Sequence, residues 1–367
     1  MAKVDVFNDL EDFSVELCVD EWDSTITIEH YRGESKKVIV PESFGGIPVT
    51  AVGNFAFLGQ EKVEHIYLPE GLTSIGDFTF SGCTRLKSVF LPESVTFIGE
   101  AAFNDCEQLI NVTLPENLVC IDDRVFKNCK QLAKIKIPKN LVKIGDSFAG
   151  CDKLTKITVD ENNPVYASVD GVLFDKAITT IIAYPAGKKG NYTIPDTVIE
   201  INSNAFRDCR NLTRIAFSQG VMRSSINAFS GCERLSSITV DDGNAHFSSI
   251  DGVLYDKKGE TLLQYPQGSN ATKCIVPDGV VCIDDLAFLD CKYLTEIVLP
   301  EGLKFIGDNV FCGCEKLTAI VLPVSLLYLG ECVFKNCPDL ETITLSRNTK
   351  MGYKAIEGFS GKLIYRD

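Results

Sequence analysis

The sequence is poor in the groups on which most enzymes and most nucleic-acid or membrane proteins depend. It has three histidines, His30, His65 and His246, and none stands beside a serine or cysteine in a nucleophile motif, so no catalytic residue is assigned and the chain is not expected to be an enzyme. No Walker loop and no G-x-G-x-x-G is present, so a phosphate-cradling turn has no candidate and no cofactor is expected. Positive charge is short: 36 lysines and arginines face 50 aspartates and glutamates, a formal net charge of −14. That balance disfavours nucleic acid or an anionic membrane as the main partner. No stretch approaches the roughly 20 apolar residues of a membrane span, so no membrane insertion is expected. Met1 to Leu10 carries no apolar run, so the chain as it stands reads as cytoplasmic, without export signal or anchor.

What the sequence does have is periodicity. At 367 residues it exceeds the size of most single cores, but a repeat array lengthens without thickening its core. Phenylalanine recurs at Phe57, Phe80, Phe103, Phe126 and Phe148, then at Phe206 and Phe229, then at Phe288, Phe311 and Phe334. Within each run the interval is 22 or 23 residues. Three residues later stands a cysteine: Cys83, Cys106, Cys129, Cys151, Cys209, Cys232, Cys291, Cys314 and Cys337, with Gln60 in the first unit. The whole unit reads F-x-x-C-x-x-L-x-x-I-x-L-P-x-x-V-x-x-I-G-x-x-A-F.

Each part of that unit has a physical reading. The segment typified by Leu86-Lys87-Ser88-Val89-Phe90-Leu91-Pro92 alternates apolar and variable positions, the mark of a half-buried strand. Proline closes it and turns the chain. Four residues before the phenylalanine stands Gly53, Gly76, Gly99, Asp122, Asn202, Asp284, Gly307 or Gly330, residue types that suit a left-handed turn. In-register stacking then makes the phenylalanines one aromatic spine.

Two insertions interrupt the period, at about 160–195 and 241–277. One contains Val169-Asp170-Gly171-Val172, the other Ile250-Asp251-Gly252-Val253, and both later carry Tyr-Pro. Strand-like runs around a polar turn predict a β-hairpin in each. Residues 1–50 read as an N-terminal cap, 51–345 as the solenoid with its two insertions, and 346–367 as a degenerate last coil and cap.

The unit resembles the BspA-type bacterial leucine-rich repeat, also described from treponemal surface proteins, over about residues 25–360. The resemblance implies a right-handed leucine-rich-repeat solenoid, mainly β with short helical or 3-10 turns, with a parallel sheet along one face and about ten to eleven coils. It also implies no enzymatic activity, a tendency to the cell surface or a secreted state, and adhesion to host proteins or other cells.

The fifteen cysteines suggest disulfides, but equivalent positions in stacked coils hold side chains parallel, whereas a disulfide needs converging Cβ vectors. A ladder of small buried hydrophobes fits better, in a reducing compartment, and no metal is assigned. The acidic runs Asp160-Glu161-Asn162-Asn163 and Asp241-Asp242-Gly243-Asn244 lack the spacing of a calcium loop and read as solvated turns.

Function is left to positions that the core does not fix. On the exposed face of the repeated strand, the third position carries His65, Lys134, Lys156 and Arg214, and the fifth carries Tyr67, Phe90 and Lys136. The aromatics suit an interface anchor, and the basic residues suit an acidic partner on an otherwise acidic chain. The reading is a non-catalytic protein-binding or adhesion module that meets a host or bacterial surface protein. A structural, self-assembling scaffold is the alternative. A glycan-binding or hydrolytic site at Asp170, Asp175, Asp251 and Asp256 of the insertions is a third.

Overall fold

The computed structural model describes residues 10–19, 24–225 and 227–366; most of Met1 to Leu10 lies outside the described residues. The chain divides into two compact units, Met1–Lys188 and Lys189–Asp367. Each is a stack of β-coils, and each coil contributes one strand to a first ladder and one to a second.

In the first unit the first ladder holds Lys37–Ile39, His65–Tyr67, Ser88–Phe90 and Asn111–Val112 in one parallel sheet, and Lys134–Ile137 with Lys156–Val159 in another. The second ladder runs from Ser24–Tyr31 and Ile47–Val52 through two-residue strands at Ser74–Ile75, Phe97–Ile98, Cys120–Ile121 and Lys143–Ile144, all parallel. The V-x-x-I segment forms this second ladder. The second unit repeats the plan, with a first ladder that includes Leu212–Phe217 and Ser237–Val240 and a second that runs from Thr261–Gln264 to Lys350–Met351.

The core is the stacked phenylalanine spine. Phe57, Phe80, Phe103 and Phe126 are fully buried, with successive ring centroids 5.2, 5.1 and 5.7 Å apart. Each contributes about 1.5–3 kcal/mol of transfer free energy. Tyr31 stacks on Phe57 at 5.0 Å, and in the second unit Tyr265 stacks on Phe288 at 5.0 Å. Tyrosine thus takes the phenylalanine's place. Coils of this kind carry no Phe-Cys signature, which is why the solenoid has about 15 turns and not ten or eleven.

Helix is nearly absent: among the described residues the one helical segment is a 3-10 turn at Leu10–Asp12. The backbone on both sides of the spine residue explains why. Phe55 and Gly59 flank Phe57 with φ of 62° and 68°, and Phe78 and Gly82 flank Phe80 with 53° and 72°. A left-handed residue every fourth position prevents helical continuation.

The glycine four residues before the spine has a different role from the one its residue type suggests. Gly76 is not among the left-handed residues. It is required because a Cβ there would stand 2.4 Å from Asn54 Oδ1 and 2.7 Å from Asn54 N in the preceding coil. Close approach of backbones, and not turn handedness, fixes the residue.

The cysteine ladder is reduced throughout. Cys83, Cys106, Cys129 and Cys151 are buried, and each thiol lies 3.0–3.2 Å from the carbonyl of the preceding coil's spine residue, Phe57, Phe80, Phe103 and Phe126 respectively. Gln60 performs the same task, donating from Nε2 to the Tyr31 carbonyl at 2.8 Å. The position therefore selects a hydrogen-bond donor for that carbonyl. Burial pushes the Cys83 thiol up to about 12.

Each insertion contains a two-residue hairpin. Asp170 (φ 49°) and Gly171 (φ 81°) close the antiparallel pair Tyr166–Val169 and Val172–Asp175, and Asp251 and Gly252 close its counterpart with 51° and 80°. Two consecutive left-handed residues match the right-handed strand twist, which favours Asp-Gly. The hairpin folds onto the ladder edge, where Ile157 N–H donates to the Gly171 carbonyl at 2.9 Å. Ile238 does the same to Gly252 at 2.8 Å. Each hairpin thus covers part of that strand edge.

Candidate functional site

Parallel register places like positions of neighbouring coils side by side. His65 pairs with Lys37 and Ser88, and Tyr67 with Ile39 and Phe90. Because side chains alternate, Ile66 and Val89 point into the core while the third and fifth positions face outward. The fifth-position row is apolar: Ile39 is 39%, Tyr67 40% and Phe90 60% exposed. Lys37 Nζ lies 4.8 Å from the Tyr67 ring centroid, a cation–π contact that covers part of that ring. Lys37 and Ile39 were missed by the sequence reading, which assigned them to a cap, although Val38-Ile39-Val40-Pro41 carries the same strand-then-proline signal as later coils.

His65 Nδ1 meets Ser88 Oγ at 2.8 Å. This is a contact of the kind found between a base and a nucleophile, but among the described residues no carboxylate bonds to His65. Nearby Glu64 is engaged elsewhere. Hydrogen bonds from Lys87 (2.6 Å) and Lys36 (3.2 Å) hold its carboxyl down at about 2.

Next to this face the first ladder opens. Asn111–Val112 ends one sheet and Lys134–Ile137 starts the next, with no strand pairing between them. The opening is a concave space of about 760 Å³ lined by Asn111, Thr113, Glu116, Lys134, Lys136 and Lys156 among others. Three of the basic residues singled out from sequence therefore share one site. Lys136 is already paired, at 3.4 Å to Glu116 and 3.0 Å to Asp160, and these contacts raise its pKa and lower that of Asp160. Lys134 and Lys156 are register partners, both exposed, and among the described residues neither has a carboxylate within ion-pair distance. Like charges side by side on a sheet repel, and an anionic group placed between them relieves this. Glu116 Oε2, which lines the same opening, is buried without a hydrogen-bond partner among the described residues, so the site asks for a donor as well as for negative charge. Neither Glu116 nor Asp160 was identified from sequence, because neither occupies the repeated third or fifth position.

Arg214 stands in the second unit, exposed, between Asn191 and Ser237 in its own sheet.

The acidic segments resolve into turn chemistry. Asn163 and Asn244 are fully buried. Asn163 donates to the Pro138 and Leu141 carbonyls at 2.8 and 2.9 Å and accepts from the N–H groups of Val165 and Tyr166 at 2.9 and 2.8 Å. Asn244 repeats this with Ser218, Val221, His246 and Phe247. They are clamps in the core and not solvated turn residues. Asp175 accepts from Thr179 N, Thr180 N and Thr179 Oγ1, each at 2.7 Å, and Asp256 from Glu260 N and Thr261 N at 2.8 and 3.0 Å. With Asp170 and Asp251 in the hairpin turns, each of the four insertion aspartates serves its own loop. Among the described residues no three His, Cys, Asp or Glu side chains cluster as a metal site. No helix among them is long and apolar enough to cross a membrane.

Comparison with known proteins agrees with this fold. The chain is similar over 98% of its length to a leucine rich cell surface protein from Faecalibacterium prausnitzii, covering 94% of that chain with 24% identity and a TM-score of 0.54. A leucine-rich repeat protein from Eubacterium ventriosum matches 88% of this chain and 92% of its own, with 23% identity and a TM-score of 0.61. The pneumococcal vaccine antigen PcpA matches over 100% of both chains with 20% identity and a TM-score of 0.56. No curated protein matches. At these identities the structural likeness establishes the fold alone. The family model described as the BspA type leucine rich repeat region matches in six copies over residues 50–168, 186–254 and 265–364. With most of its coils covered by that match, the chain belongs to the BspA-type leucine-rich-repeat family.

Proposed function

We propose that this protein is a non-catalytic adhesion or protein-binding module that engages an acidic protein partner through the first-ladder face of its first unit. The observation that carries this reading is the pair Lys134 and Lys156, adjacent, exposed and without a counter-charge among the described residues, beside the opening of the first ladder, whose neighbouring sheet presents Tyr67 and Phe90. The aromatics supply desolvated contact area, and the lysines supply charge complementarity that raises the association rate. A place on the cell surface is part of the proposal. It is supported by the surface location printed for the Faecalibacterium protein of the same fold.

The test is capture on the immobilised chain from an extracellular-matrix preparation and from bacterial lysate, followed by affinity measurement with each captured protein. Changing Phe90→Ser and Tyr67→Ser is expected to weaken binding by about 2 kcal/mol or more, within the range of interface hot spots. Lys134→Ala with Lys156→Ala is expected to slow association and to reduce its salt dependence. Unchanged capture of every partner by the fourfold variant would remove this face as the binding site.

A further inference from the structure

The second unit has a concave site of its own, where the chain leaves the second insertion. Tyr265-Pro266-Gln267-Gly268 crosses the turn at Arg234 and Leu235, and Gly268 N–H donates to the Leu235 carbonyl at 2.8 Å. The approach is tight: a Cβ on Gly268 would stand 2.2 Å from the Arg234 carbonyl carbon. The first insertion builds the same crossing. There Tyr184-Pro185-Ala186-Gly187 passes over Lys153 and Leu154, and Gly187 N–H donates to the Leu154 carbonyl at 2.8 Å. The two insertions differ at the residue before the glycine. Ala186 is 1% exposed and its counterpart Gln267 is 6% exposed, so one insertion buries a methyl where the other buries an amide.

The Gln267 amide is only half used. Nε2 donates to the Leu289 carbonyl at 2.9 Å, which fixes the orientation of the amide, and Oε1 is buried with no partner among the described residues. A buried acceptor without a donor is destabilising. Alanine at the equivalent crossing shows that the fold does not require it. The amide borders a cavity of about 330 Å³ whose other polar walls are Glu233, Arg234, Asp290 and Lys292, with Tyr293 at the rim, 48% exposed. That volume lies within the roughly 300–1,000 Å³ of small-ligand pockets.

The charges in these walls balance. Glu233 contacts Arg210 at 3.4 Å and Lys292 contacts Glu315 at 3.7 Å. Arg234 has no carboxylate within ion-pair distance among the described residues, and burial raises the pKa of the Asp290 carboxyl. An anion in this cavity meets Glu233 and Asp290, and a cation meets Arg234 and Lys292. A neutral molecule with many donors and acceptors meets complementary groups on every side. The Tyr293 ring at the rim carries Lys316 Nζ on one face, 5.8 Å from its centroid, and its other face adds a surface for the C–H face of a sugar ring.

From these observations we infer that the cavity around Gln267 is a saccharide-binding site, in which a pyranose hydroxyl donates to Gln267 Oε1 while Arg234 and Asp290 bind neighbouring hydroxyls. It is built from residues of the second unit alone and does not rest on the face proposed in the first unit. The insertion aspartates do not take part.

Saturation-transfer NMR on the full chain, with glucose, galactose, mannose and N-acetylglucosamine each at millimolar concentration, tests the assignment. Transfer to at least one of these sugars is expected. Gln267→Ala, which installs the residue that the first insertion carries at this crossing, is expected to weaken binding about tenfold, the equivalent of one hydrogen bond. Tyr293→Ala, at an exposed rim position, is expected to weaken it as well, and thermal melting verifies that both variants fold. The proposal is overturned by an absence of transfer to all four sugars, or by equal transfer in wild type and both variants.

Discussion

Replacing Asn163 tests whether a buried side-chain amide, and not the hydrophobic period, anchors each insertion to the solenoid. Asn163 is fully buried and engages two carbonyls and two N–H groups. Asn163→Ala removes four bonds and leaves the Leu141 carbonyl and the Val165 and Tyr166 N–H groups without a partner, while the Pro138 carbonyl keeps the Leu141 N–H at 3.4 Å. At about 1 kcal/mol for each neutral bond, with a further penalty for groups that water cannot reach, the loss comes to about 3–5 kcal/mol. Asn163→Asp separates the two halves of the clamp: the carboxylate still accepts from Val165 and Tyr166 but faces the Pro138 and Leu141 carbonyls. Burial against those carbonyls raises its folded-state pKa above the ordinary value of about 3.9. The folded state then binds the proton more tightly than the unfolded state does. This variant is therefore most stable below about pH 4 and loses stability as pH rises through the folded pKa. Urea unfolding followed by circular dichroism gives the midpoint shift, and hydrogen exchange at the Val165 and Tyr166 amides gives a local readout that does not assume two-state unfolding. Glu161→Ala, on the exposed side of the same turn, is expected to stay within about 0.5 kcal/mol. A loss below about 1 kcal/mol for Asn163→Ala, with protection of both amides retained, would refute the role given to this clamp.

Two further expectations follow from the packing between coils. Gly76→Ala is expected to destabilise by about 2 kcal/mol or more, because the added carbon meets the backbone of Gly53 and Asn54, which has no room to yield. Gly302→Ala is expected to be neutral or to stabilise by a few tenths of a kcal/mol, since no atom lies within 4 Å of its Cβ position and its φ is not left-handed; equal effects of the two in chemical denaturation would contradict the close-approach explanation. The thiols of Cys83, Cys106, Cys129 and Cys151, raised or shielded by burial, are expected to resist alkylation in the native protein at pH 8, while exposed Cys18 reacts. Rapid native-state labelling of the four, quantified by mass spectrometry, would show that the ladder is not closed.

The candidate site was legible only in part. Parallel register follows from the period, so the sequence alone placed Tyr67 beside Phe90 and Lys134 beside Lys156. It could not show that Lys136 is neutralised, because Glu116 and Asp160 reach it from outside the strand. Arg214, named with those lysines from sequence, belongs to a sheet of the second unit. Gln267 was invisible for a similar reason: its environment comes from Arg234 and Asp290, on turns remote in sequence.

The repeat unit by itself determined the coil. Spacing of phenylalanine, cysteine, leucine and proline encodes local chain direction and the apolar face, and those are properties of a single turn. Tertiary structure decided what depends on two turns at once. Gly76 is required by the backbone of the preceding coil, the cysteines by its carbonyls, and Asn163 by strand ends one coil away. The opening between Asn111–Val112 and Lys134–Ile137 is likewise a relation between coils and has no signature within either. A period specifies which residues stack, because in-register stacking is the way every unit buries the same face. Where the stack parts, and which charges are left without partners there, is decided by contacts that no single unit contains.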